Sequence, residues 1–130
     1  MAFRTTRKHR QPLTVLRDNH FSLRESREFD ASTYIAENSY HEKWVYAGIV
    51  VAKDSSTNKY VPYNASAAYG TGSDTPVGVL HETYDMTYGN RLVAPVWHGV
   101  FIESRCFVYG GAVGTVPAAV KTALDDITWV

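Results

Sequence analysis

The sequence predicts a mostly β protein: a small β-sandwich or barrel-like body with one short C-terminal helix, preceded by an extended N-terminal arm. Three observations predict it. From Trp44 onward, short runs rich in Val and Tyr alternate with clusters of Gly, Asn, Ser, Asp and Pro, the pattern of strands and turns. Only one stretch, near the C-terminal end, places its apolar residues at helical spacing. Residues 1–43 have no sustained apolar period of either kind. At 130 residues the chain suits one compact body, so the expected division is an arm over 1–43 and a β-rich domain over 44–130.

Within the arm, Phe3, Leu13, Val15, Leu16, Phe21 and Leu23 are isolated apolar anchors. Ser22 to Glu25 has the form of a capping box, but the polar stretch after it allows only a short helix. "WVYAGIVVAK" (44–53) is apolar on both faces and predicts a buried strand. "DSSTN" is a turn cluster, and "KYVPY" resumes extended chain, which together predict a hairpin. "NASAAYGTGSD" is a Gly-rich loop, "PVGVLHETY" the next strand, and "MTYGN" a turn at Gly89-Asn90. In "RLVAPVWHGVFIES", Leu92, Ala94, Val96, Val100 and Ile102 share one alternating face with His98, and Pro95 points to an edge or a bulge. "TVPAAVKTALDDI" predicts the helix, with Thr115 as N-cap, Pro117 in the first turn and Val116, Val120 and Leu124 on the buried face. "ITWV" is a terminal strand or tail.

Formal charge is zero, yet unevenly spread: residues 1–30 hold seven basic and four acidic side chains, net +3, and the rest of the chain carries net −3. A single cysteine, Cys106, excludes an intrachain disulfide and any metal site built from several cysteines. No run reaches the ~18 apolar residues of a membrane span, and no apolar stretch follows the N-terminal charges as a secretory signal requires.

The candidate chemistries fail on spacing. His81-Glu82 begins like H-E-x-x-H, but the segment reads "HETYD" and alternates as a strand. His81, Asp85, His98 and Cys106 reach a common metal only if the fold converges them. Gly70 to Asp74 is followed by Pro76 and a strand, whereas a phosphate cradle needs a helix N-terminus. Cys106 has no flanking cluster that would lower its pKa, and Asp125-Asp126 are solvated charges at the helix end. The chain is therefore expected not to be an enzyme, with no catalytic, metal or cofactor residues. The basic "RTTRKHR" is the stronger signal. It suits either phosphates or an acidic protein surface, though no recognition helix or stacking platform accompanies it.

The order of segments "YAGIVVAKD", "NKYVPYN", "PVGVLHETYDMTYGN", "LVAPVWHGVF" and "TVPAAVKTALDDITWV" resembles that of the lambda-type head decoration (capsid cement) proteins of tailed phages. The resemblance covers the whole body after the arm. It implies a structural protein that trimerises, sits at three-fold positions on the outside of an expanded capsid, and stabilises it against internal DNA pressure. Its partners would be the major capsid protein and two further copies of itself, with neither membrane nor nucleic acid, and its location the virion after synthesis in the host cytoplasm. The arm residues expected to dock are Arg4, Arg7, Lys8, Arg10, Leu13, Val15, Leu16 and Phe21. Trp44, Tyr46, Tyr60, Tyr63, Trp97 and Phe101 are the candidates for contacts between copies. The alternatives are another virion part, such as a tail-tube or baseplate β protein, and a nucleic-acid-binding module using the basic arm.

Overall fold

The computed structural model describes residues 15–17, 20–64 and 75–130. Arg4, Arg7, Lys8, Arg10, Leu13 and the Gly70–Asp74 loop lie outside the described residues. Among the described residues the protein is mostly β, with a curled half-barrel sheet and two short helices. In chain order the elements are β1 (Ser22–Leu23), β2 (Arg27–Phe29), α1 (Ala31–Tyr34), β3 (Trp44–Val45), β4 (Val50–Lys53), β5 (Tyr60–Pro62) and β6 (Pro76–Val79). They continue with β7 (Tyr84–Asp85), β8 (Arg91–Val93), β9 (Val96–Phe101), a single 3₁₀ turn (Glu103–Arg105), α2 (Ala118–Ala123) and β10 (Ile127–Trp129).

The large sheet runs β1-β9-β6-β4-β5-β2-β8, with β10 added parallel to β9. Its two ends are linked through the chain itself. β1 and β2 are separated by three residues, and they pair antiparallel with β9 and β8, which are separated by Ala94 and Pro95. The described residues between Leu16 and Phe29 thus form one interrupted antiparallel ribbon with 91–101, from the Leu16–Phe101 bridge to the Phe29–Arg91 pair. That ribbon curls the sheet back on itself. β3 and β7 form a separate two-stranded ribbon.

This arrangement corrects the expected division of the chain. The expected arm covers residues 1–43, but Val15, Phe29, Ala31 and Ile35 within it are buried in the body. Val15 is 1% exposed in the core and its carbonyl accepts from Ile102 N at 2.7 Å. Leu16 and Phe21 pack against the same core, and Phe29 is fully buried. The capping-box residues Ser22 and Leu23 are strand, and the short helix comes later, where Asp30 accepts from Thr33 N. Asn90 Oδ1 reaches across from the turn after β7 to accept from Ala31 N and Ser32 N, both at 2.9 Å, satisfying donors that a helix start leaves open.

Two clusters of buried side chains share the sheet as a wall. β4 alternates between them: Val50 and Ala52 join Val61, Val79, Val96 and Phe101, while Val51 joins Phe29, Tyr60, Leu80 and Val93. The doubly apolar character of 44–53 is therefore spent within one chain, and no face of β4 is left for a neighbour. The segment is not one strand. It breaks at Ala47–Gly48, where Gly48 takes φ +95° and its N–H donates to Leu80 O at 2.7 Å.

The face expected for 92–102 is also corrected. Leu92 is 68% exposed and Val93 is buried, while beyond Pro95 it is Val96, Gly99 and Phe101 that turn inward. Two irregularities reset the parity: the Pro95 break, and a bulge where Ser22 pairs His98 but Leu23 pairs Val96. His98 is exposed. The helix keeps its expected face, since Val116, Val120 and Leu124 are all buried in the first cluster, although the helix itself starts after Pro117.

The β4–β5 turn is held by Asp54, which is 3% exposed and accepts from Ser56 Oγ at 2.7 Å and Ser56 N at 2.9 Å. Those hydrogen bonds, the side-chain one first, hold its carboxyl below the ordinary value against the opposing effect of burial. A depressed folded pKa means the stabilisation is complete above the usual carboxylate range, about pH 4, and is lost as pH falls through the folded value. Melting temperatures of Asp54→Asn and the parent should therefore differ at neutral pH and converge in acid. A constant gap down to the acid limit would refute the role of the carboxylate charge.

Candidate interaction grooves

The titratable residues singled out in the sequence do not assemble. His81 is half-buried, with its ring 5.0 Å from that of Phe21, and its Nε2 lies 3.6 Å from Glu82. His98 lies beside Trp97, ring centroids 5.8 Å apart. Among the described residues, no group of three or more His, Cys, Asp or Glu is placed to hold a metal ion. Cys106 is fully buried, its Sγ 3.4 Å from Ile102 O, and burial pushes its pKa up to about 12. Since the thiolate is the reactive form, a thiol reagent should leave the native protein unmodified and label one site after denaturation. Rapid labelling of the native state would overturn that burial.

Three of the six aromatics named as contacts between copies are core residues. Phe101, Tyr60 and Tyr63 are 0%, 2% and 3% exposed, so they have no surface to offer a second copy. Trp44, Tyr46 and Trp97 are half-buried and line grooves.

The first groove, of about 280 Å³, lies between the segment leading into β3 and the turn after the 3₁₀ helix. Trp44 and Tyr46 line it together with Ile35, Ile49 and Phe107. Tyr109 ties its two walls, its hydroxyl accepting from Ala36 N at 3.0 Å. Val113, on the same lining, is 49% exposed. An aromatic, half-open groove of this kind is what an apolar side chain fills when two proteins meet.

The second groove, of about 460 Å³, differs in chemistry. Among the described residues, Arg24, Arg27 and Lys53 line it with a single acid, Glu25. The Arg24 guanidinium carbon sits 5.2 Å from the centroid of the Trp97 ring, and its Nε donates to Val77 O at 3.1 Å. Arg27 pairs with Glu25, which raises the guanidinium pKa further. Tyr60 closes the inner end, its hydroxyl donating to Glu25 O at 2.8 Å, and burial pushes its phenol pKa upward. Charge-assisted hydrogen bonds and a cation over an indole face both fix these groups in place.

Neither Arg24, Arg27 nor Lys53 stood out in the sequence as a site. Arg24 comes from the link between β1 and β2, Arg27 from the start of β2 and Lys53 from the end of β4, which only the curled sheet brings together. The one local hint was the basic excess of residues 1–30, which the sequence attributes to a single arm. The structure places two of those basic residues, Arg24 and Arg27, in a built groove. No family model matches this chain, and no curated protein matches it.

Proposed function

We propose that the protein is a structural virion component that binds the outer surface of an expanded phage head as a trimer at three-fold positions. There it adds stability against the pressure of packaged DNA. The carrying observation is the anchor at Val15, held in the sheet by Ile102 N and followed by Arg17 N donating to Val100 O at 2.8 Å. Ahead of that anchor lie Arg4, Arg7, Lys8 and Arg10 with no acidic residue among residues 1–14. Four cations attached to a fixed point of a packed body suit docking on an acidic protein surface. Three copies acting together multiply a weak contact without any new chemistry.

The order of segments that resembles the head decoration proteins supports the same role. Trp44 and Tyr46, in the apolar groove, remain the contact candidates between copies. Binding should be saturable on expanded, DNA-filled heads for the intact chain and absent for residues 15–130, with light scattering giving a trimer for both. Equal binding by the shortened chain would remove the arm from the mechanism, and a monomer at all concentrations would remove the three-fold site.

A further inference from the structure

We infer that the groove walled by Arg24, Arg27, Lys53 and Trp97 is a binding site for carboxylate side chains of an acidic peptide segment. The inference stands apart from the capsid role, because it concerns residues of the folded body and needs no particle to test.

The geometry argues for a built site. Arg24 is held from two sides, by Val77 O on its Nε and by the Trp97 ring beneath its plane, so its remaining N–H groups keep a fixed direction. A preorganised guanidinium loses little conformational entropy when it takes a carboxylate in bidentate fashion. Arg27 is seated in the same groove, with its Nε buried and without a hydrogen-bond partner. Lys53 adds a third cation from the end of β4. The volume is within the range of ~300–1,000 Å³ that ligand pockets occupy.

The class of ligand follows from what the groove already does. Arg27 holds a carboxylate, Glu25, whose side chain is 70% exposed. Because solvent screens an exposed ion pair, Glu25, in the link between β1 and β2, is a weak and displaceable occupant. Leu23, 47% exposed, and the flank of Trp97 offer apolar surface beside the cations. A peptide that alternates acids with an apolar residue fits both. Nucleic acid fits less well. It requires a cationic track along which phosphates repeat and an open aromatic face for bases. Here the Trp97 face carries Arg24, and beyond residue 30 acids outnumber basic residues nine to six.

The test uses the full chain and a fluorescein-labelled peptide of sequence Glu-Glu-Leu-Glu-Glu, read by anisotropy at low salt. Arg24→Gln combined with Lys53→Gln should weaken binding at least tenfold. Glu25→Gln should strengthen it severalfold, because the internal competitor is gone; a merely damaged fold would not produce that gain. Unchanged affinity in Glu25→Gln and in the double variant overturns the site. Displacement of the peptide by equimolar inorganic phosphate would reassign the groove to small anions. Displacement by a ten-nucleotide oligo-dT at lower concentration than unlabelled peptide would reassign it to single strands. Either result overturns the inference while leaving head binding by residues 1–14 to stand or fall separately.

Discussion

A chain beginning at residue 31 will not fold, whereas one beginning at residue 15 will melt like the intact protein. The difference lies in what residues 15–30 contribute. Their described residues pair with 91–101 as one side of the ribbon, and they also supply the edge that β5 pairs with, through Phe29 and Tyr60. Phe29 is fully buried in the second cluster. Truncating a buried Phe alone costs about 3–5 kcal/mol, a large share of the ~5–15 kcal/mol that holds a domain of this size. Removing Val15 and the strand pairings as well exceeds the remainder. Near-ultraviolet circular dichroism with thermal melting separates the two truncations. A cooperative transition for residues 31–130 would show that the ribbon is dispensable.

Gly48→Ala should destabilise the protein by about 2–5 kcal/mol, with the cost divided between two causes. The backbone there takes φ +95°, a region that costs a side-chain-bearing residue roughly 1–2 kcal/mol. A Cβ would also stand 2.3 Å from Arg105 O, so the strand end or the 3₁₀ turn must move, and overpacking of this kind costs about 1–3 kcal/mol. The position is crossed by two hydrogen bonds, Gly48 N to Leu80 O and Phe107 N to Gly48 O, so any shift reaches three segments. Gly110→Ala is the control. Its φ is +82°, but nothing lies within 4 Å of the added carbon, so only the backbone cost applies. Urea denaturation of both variants should show a clearly larger loss for Gly48. Equal losses would mean that the close approach to Arg105 carries no energetic weight.

Legibility in the sequence followed how local each cause was. β4 could be read because Val50, Val51 and Ala52 are consecutive and need no partner to declare both faces apolar. The C-terminal helix could be read because Val116, Val120 and Leu124 repeat at helical spacing within one short segment. Residues 15–29 could not, since Val15, Leu16, Phe21 and Phe29 follow no period. Their burial depends on pairing with a segment about seventy residues later, and a bulge and a proline break that pairing. Parity across 92–102 failed for the same reason: alternation is reset where the chain kinks, and only the partner strand shows where. The cationic groove is the extreme case, because Arg24 and Arg27 sit more than twenty residues from Lys53 and nothing in the sequence pairs them.

Phe101 is paired on both of its edges. Leu16 bridges it on one side, and Trp129 lies opposite it in the parallel ladder on the other. Val130 N also donates to Phe101 O at 2.9 Å. Residues 15 and 130 therefore flank a single strand, at a separation set by two strand spacings, or roughly 10 Å. The folded body is nearly a loop in its own connectivity. Joining its two ends through a short flexible linker and reopening the chain at the exposed 55–58 turn would preserve every ladder, giving a circularly permuted scaffold with both new ends at a hairpin tip.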